Sequence, residues 1–233
     1  MSEKICVIIP VYNEDEVILD TLKTVPKKAS NLPVDIVVVN DGSTDNTEAV
    51  VETSKKVHLI NHILNFGAGA ATRTGLHYAE HCGYKYAITM DADGQHHPKD
   101  VKRVMEAVIN NEADFVIGSR LLSPEGMPWY RKIGNTGLSF VTFLLFGVNV
   151  KDSQSGLKGL NRTALEKIDY HSNRFAFCSE MLWRANREGL TIREIPISAV
   201  YTEYSLAKGQ SNWGALDIIK QLVKRRFLGI IDG

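Results

Sequence analysis

Five short runs, KICVIIP, VDIVVVND, VHLIN, YAITMD and ADFVIGS, are dominated by β-branched and other apolar residues and show no polar face. A strand that is apolar on both sides must be buried on both sides, which points to a parallel sheet covered by helices. The intervening segments EDEVILDTLKTV, STDNTEAVVETSKK, GAATRTGLHYAEHCG and HPKDVKRVMEAVINN repeat apolar residues every three to four positions. Ser43, Thr44 or Asp45 suits a helix cap and Pro98 a first helical turn. The first ~120 residues therefore form a βαβ series with right-handed crossovers. After Arg120 the alternation breaks into an apolar helix, a short SQSGLKGL segment, a helix from Phe177, the strand TIREIPIS and a basic final helix.

The 233 residues are 44% hydrophobic and 23% charged, enough for a sizeable core in a soluble globular chain. Twenty-seven basic residues balance twenty-seven acidic ones, so no global field recruits nucleic acid, and any membrane contact must come from a local patch. Cys6, Cys82 and Cys178 are odd in number and lack metal-ligand spacing, and the N-terminus MSEKICVIIP does not read as a signal peptide. A reducing, cytosolic compartment is expected. The longest apolar stretch, LSFVTFLLFGVNV, is well short of the ~20 residues that span a bilayer.

In an open α/β sheet, ligands gather beyond the carboxyl ends of the strands. Those ends read VYNE, DGSTD, NFGAG, DADGQH and SR, so acidic and small polar residues converge from several loops. Carboxylates crowded together repel unless a positive charge lies between them. Asp91 and Asp93 suit a hard divalent cation, Mg²⁺ or Mn²⁺, with Gln95 as a neutral oxygen ligand and open positions for substrate phosphates. His96 and His97 are either further ligands or a solvated pair before Pro98. GAGAAT is not a dinucleotide loop, because Thr72 holds the third glycine position; Gly67, Gly69 and Gly75 are read as packing glycines.

IPVYNE, DGSTDNT, NFGAGAATRTG, DADGQHHP and GSR, in this order, resemble family-2 glycosyltransferases of the GT-A fold. RKIGN, DSQSGLKGLNR and SEMLWRA narrow the resemblance to the dolichol-phosphate or polyprenyl-phosphate sugar synthase branch, over nearly the whole chain. The resemblance implies an α/β, Rossmann-like, mostly parallel sheet flanked by helices, with C-terminal amphipathic helices. Residues 1–212 would form the catalytic domain, 1–120 its nucleotide-sugar half and 121–212 its acceptor half, followed by a basic amphipathic helix over 213–233. Pro10, Tyr12, Asn13 and Glu14 would line the nucleotide pocket, with Asp41 on the base. Asp91 and Asp93 match the metal pair and Gln95 its third ligand; Arg120 and Arg131 match residues that hold phosphates. Asp93, Arg120 and Arg131 are thus the expected catalytic set, while Lys208 and Ser211 match a mobile loop that closes over the donor.

The implied reaction is inverting, metal-dependent transfer of a hexose from GDP-mannose, UDP-glucose or UDP-N-acetylglucosamine to dolichyl or polyprenyl phosphate. A phosphate acceptor is already ionised near neutrality and needs no strong base. One alternative is a soluble glycan or protein hydroxyl acceptor with Glu180 as base; another is a non-catalytic nucleotide-sugar-binding subunit. Met181 stands where hydroxyl-activating relatives pair a second acid, and QSNW only superficially matches their Gln-x-x-Arg-Trp, which favours the phosphate acceptor. In the final helix, Trp213, Leu216, Ile219, Leu222, Val223 and Phe227 share a face ringed by Lys220, Lys224, Arg225 and Arg226. That pattern, together with the apolar stretch LSFVTFLLFGV, suits peripheral binding to anionic lipid, expected on the cytosolic face.

Overall fold

The computed structural model describes residues 3–198, 200 and 212–228; Lys208 and Ser211 lie outside this set, as do the side chains of residues 212–216, 225 and 227–228. In chain order the elements are β1 (Ile5–Val11), α1 (Ile18–Thr24), β2 (Lys28–Ala29), β3 (Leu32–Asn40), α2 (Thr47–Glu52), β4 (Val57–Asn61), α3 (Ala68–His81), β5 (Tyr86–Thr89) and α4 (Pro98–Ile109). There follow β6 (Phe115–Ser119), α5 (Trp129–Phe146), β7 (Lys158–Asn161), α6 (Arg162–Lys167), α7 (Phe177–Arg187), β8 (Ile192–Pro196) and α8 (Asn212–Leu228). Every run read as a strand is one, and Pro98 occupies the first turn of α4.

The sheet runs β2-β3-β1-β5-β7-β6-β8, with β4 paired to the carboxyl half of β3. β1 is flanked in parallel by β3 and β5. Its alternate residues feed two separate cores, as a period of two requires. Cys6 and Ile8 point into a layer with α3, α5, α6, α7 and α8, while Ile5, Val7, Ile9 and Val11 point into a layer with α1, α2 and α4. Gly75 lets α3 close onto the sheet, because a Cβ there would overlap the Ile8 side chain.

Two features break the βαβ rule. Ser30 and Asn31, both with positive φ, turn a two-residue hairpin between β2 and β3. More consequentially, β7 runs antiparallel between β5 and β6. Its sequence, KGLN, has none of the β-branched character that marks the other central strands. Because β7 runs opposite to β5, its N-terminal approach, residues 153–157, arrives beside the carboxyl end of β5. Helix α8 packs on α5 and buries Ile218 and Leu222 in the core, so part of its apolar side is already covered.

Candidate active site

The loops after β1 and β3 are stitched together. The Asn13 backbone N–H donates to Ser43 Oγ (3.0 Å), Thr44 N–H to Asn13 Oδ1 (2.8 Å), and Glu14 N–H to Thr47 Oγ1 (2.8 Å). Asn13 adopts φ 54°, which turns the chain sharply after Tyr12, whose side chain stands exposed. Asn13 and Glu14 are thus tied to the segment that follows β3, with Tyr12 directly before them and Pro10 near the end of β1. Asp41 is buried, and its carboxylate accepts from Phe66 N–H (3.0 Å) and Gly67 N–H (2.7 Å) while His62 Nδ1 lies at 2.8 Å. It shapes the edge by holding the loop after β4. Gly42 (φ 68°) makes room for that loop, since a Cβ there would strike the Leu64–Asn65 backbone.

The acidic turn after β5 is held from three sides. Thr21 Oγ1 of α1 donates to Ala92 O (2.7 Å), Gln95 N–H donates to Asp93 Oδ1 (3.1 Å), and Gly94 takes φ 72°. On the far side, Thr89 Oγ1 donates to Gly156 O (2.8 Å), bringing the approach to β7 against Asp91; a Cβ at Gly156 would overlap the Asp91 carboxylate. Gln95 is buried, and its carbonyl accepts from Val200 N–H (3.0 Å).

Electrostatics separate the two carboxylates. Desolvation, then the negative charge of Asp91, push Asp93 up to about 6; Glu14 adds to this, while His96 and the Gln95 N–H oppose it. Asp91 goes the other way. Desolvation by the cleft walls would raise it, but the imidazole of His96, with Lys158 and Arg120 behind it, holds it below the usual carboxylate range. His96 is buried, with Nε2 at 3.6 Å from Asp91 Oδ2, and that Nε2 makes no hydrogen bond among the described residues. A pair of mutually repelling carboxylates beside an unpartnered buried nitrogen is a donor set suited to a divalent cation. Among the described residues no group of three His, Cys, Asp or Glu completes such a site, so further ligands would come from Gln95 or from bound phosphate.

Two residues singled out from sequence are committed to protein partners. Arg120, in a 3-10 turn at the end of β6, forms a bidentate pair with the fully buried Asp152: Nε–Oδ2 2.8 Å and Nη2–Oδ1 2.9 Å, with its backbone N–H also on Oδ2 at 3.0 Å. Glu180 is fully buried and accepts from the backbone N–H groups of His171 (3.1 Å) and Ser172 (2.9 Å). That turn in turn abuts the start of α3, where Gly67, just before the helix, and Gly69 leave room for the Asn173 and Ser172 carbonyls. Arg131 sits in the first turn of α5. Lys158, overlooked in the sequence, is fully buried on β7, with its ammonium donating to Ser155 O, 3.4 Å from Cys178 Sγ and 5.6 Å from the Phe177 ring. Only its place in an apolar-flanked segment, GLKGL, hinted at burial.

The family model of Glycosyl transferase family 2 matches residues 6–169, which span this whole acidic edge. The chain is a family-2 glycosyltransferase. A relative from Methanococcus voltae, UDP-N-acetylglucosamine–dolichyl-phosphate N-acetylglucosaminyltransferase, is 40% identical, with all of both chains covered. Polyprenol monophosphomannose synthase of Mycolicibacterium smegmatis is 33% identical over 89% of this glycosyltransferase and 81% of that protein. Among solved structures, glucosyl-3-phosphoglycerate synthase of Mycobacterium tuberculosis, crystallised with Mn²⁺ and UDP-glucose, superposes with a TM-score of 0.73 at 17% identity, covering 99% of this chain and 81% of that one. The likeness confirms the GT-A fold for the glycosyltransferase.

Proposed function

We propose that this glycosyltransferase moves a sugar from a nucleotide donor to the phosphate of a polyprenyl lipid, with inversion and with a divalent cation. The observation that carries the reading is the fate of Glu180. The one carboxylate that sequence offered as a base is sealed in the core and spent on the His171–Ser172 backbone. An acceptor that arrives already ionised needs no such base, whereas a sugar or protein hydroxyl does. The relatives from Methanococcus and Mycolicibacterium, both named for lipid-phosphate acceptors, support the same choice. The Methanococcus match over both full lengths makes UDP-N-acetylglucosamine the first donor to test.

In this reading Pro10, Tyr12, Asn13 and Glu14 line the nucleotide pocket, and Asp41 supports it by fixing the Phe66–Gly67 backbone. Asp91, Asp93 and Gln95 would hold Mg²⁺ or Mn²⁺, which when bound neutralises the departing nucleoside diphosphate. Mn²⁺ beside UDP-glucose in the Mycobacterium structure is in keeping with this. The Thr21 and Thr89 hydrogen bonds keep the acidic turn in place before substrate binds, so little reorganisation is needed during transfer. Arg120, oriented by Asp152, and Arg131 supply positive charge for the phosphates, with Lys208 closing over the donor.

The test is purified protein with Mn²⁺, a short-chain polyprenyl phosphate and each of UDP-N-acetylglucosamine, UDP-glucose and GDP-mannose, scored for glycolipid by mass. Product from one donor, abolished by chelator, is expected. Transfer to a soluble hydroxyl but not to lipid phosphate would overturn the proposal, and nucleotide binding without any turnover would favour a silent subunit.

A further inference from the structure

Residues 152–156 cross from the Arg120–Asp152 pair at the end of β6 to the Asp91 carboxylate at the end of β5. Asp152, Ser153 and Ser155 on this crossing are fully buried, whereas Gln154 is half-buried. Its side-chain amide is gripped from inside the fold: Nε2 donates to Ser179 Oγ of α7 (2.9 Å) and to Ser153 Oγ (3.1 Å). Counting protons fixes which end of the amide faces inward. Thr142 Oγ1 of α5 gives its one hydrogen to Leu138 O (2.9 Å), because a carbonyl can only accept. The 2.8 Å bond between Thr142 and Ser179 is therefore donated by Ser179, whose hydroxyl is left to meet Gln154 as an acceptor. Thr142 and Ser179 are both fully buried. Turning the amide over would set Oε1 against Ser179 Oγ with no hydrogen between them. Both Nε2 protons are thus spent inside the fold, and Oε1 accepts from no group among the described residues.

The position of this carbonyl narrows its ligand. An acceptor needs a partner that brings an O–H or N–H. The diphosphate and the lipid phosphate are ionised near neutrality and bring none. In the reading above, the base and ribose belong to the loops after β1 and β3, which the order β3-β1-β5-β7-β6 sets on the far side of β5 from Gln154. The group that remains, beside Asp91, is the sugar. We propose that Gln154 positions the transferred sugar and selects the donor, its fixed Oε1 accepting a hydrogen bond from one ring hydroxyl or from an N-acyl N–H. The assignment rests on the nucleotide-sugar reading. A sugar without a donor group at that point strips water from Oε1 and returns nothing, which is how a fixed polar group discriminates.

The experiment is titration calorimetry of the full chain in Mn²⁺ with UDP-N-acetylglucosamine, UDP-glucose and GDP-mannose, with the matching nucleoside diphosphate alone, and with analogues of the best-bound donor. In these analogues one hydroxyl at a time is replaced by fluorine, or the acetamido N–H by an ester oxygen. The proteins are the parent, Gln154→Met and Ser179→Ala, with circular dichroism verifying their folding. Gln154→Met is expected to bind the nucleotide sugar at least about tenfold more weakly and the diphosphate as the parent does. One analogue should weaken the parent by the same factor and Gln154→Met no further, since two ways of removing one contact do not add. Ser179→Ala keeps the acceptor but frees the amide, so discrimination among the analogues should shrink without vanishing. Equal weakening of diphosphate and nucleotide sugar in Gln154→Met, unchanged affinity, or losses that add for every analogue overturns the proposal. If Gln154→Met does not fold, discrimination in Ser179→Ala identical to the parent's overturns it. None of these titrations needs an acceptor. A parent that obeys the cycle yet makes no glycolipid upholds Gln154 and sinks the lipid-acceptor reading, whereas a parent that binds none of the three nucleotide sugars sinks both.

Discussion

Removing Asp152 should cost this glycosyltransferase a large share of its stability. Its carboxylate is fully buried and receives three hydrogen bonds from Arg120, whose own side chain is 16% exposed. Asp152→Ala leaves that guanidinium in a largely desolvated position with its Nε and Nη2 edge stripped of its acceptor. Breaking a buried pair from one side costs roughly 3–5 kcal/mol, against a total of about 5–15 kcal/mol for a folded domain. For a chain of this size that corresponds to a fall in Tm of roughly 6–20 °C. Removing both charges together, Arg120→Met with Asp152→Leu, should recover most of the loss, since an apolar pair of similar volume is often neutral. Urea denaturation of the parent, both singles and the double measures this directly. A loss under about 1 kcal/mol in Asp152→Ala, or a double variant no more stable than that single, would refute the reasoning. The double variant also isolates chemistry from folding: if Arg120 carries phosphate charge, turnover should fall on the order of 100-fold even where stability returns.

Asp93, raised to about 6 against ~3.9 in the unfolded chain, binds its proton more tightly when folded. Its contribution to metal-free stability is thus full below about pH 4 and lost as pH rises through 6, a swing of about 2–3 kcal/mol. In chelator at pH 7.5, Asp93→Asn should therefore melt higher than the parent, and Mn²⁺ should raise the parent's Tm but not the variant's; a variant no more stable than the parent under those conditions contradicts this. Gly156→Ala pushes a methyl into the Asp91 carboxylate, so Mn²⁺ affinity measured by calorimetry should drop at least about tenfold, and unchanged affinity would mean the wall is not where the structure has it. Glu180→Gln keeps one good acceptor for the Ser172 N–H and should lose about 1–2 kcal/mol of stability with turnover near normal. A turnover loss of about 100-fold in a folded Glu180→Gln protein would restore the base.

The amino-acid sequence by itself determined the alternation of buried strands and amphipathic helices, because apolar periodicity is a local property that any sheet-and-helix packing must respect. It also determined the acidic edge: Asp91 and Asp93 follow a strand, and strand ends in such sheets point to the ligand. Tertiary structure decided what those side chains touch. KGLN has no strand signature, so only pairing between β5 and β6 makes it β7, and only that pairing sets Gly156 against Asp91 and buries Lys158. Nothing in the sequence marked Asp152, and Glu180 stood as a possible base, yet Arg120, 32 residues from Asp152, and the His171–Ser172 turn beside Glu180 assign both acids to the scaffold. His96 was open between ligand and solvated neighbour; burial beside Asp91 removes the solvated reading. The basic final helix shows the same division, since its spacing marks an apolar face but cannot say whether lipid or α5 covers it. Local pattern specifies which groups are available, whereas burial and pairing, which depend on distant residues, specify which of them remain available for chemistry.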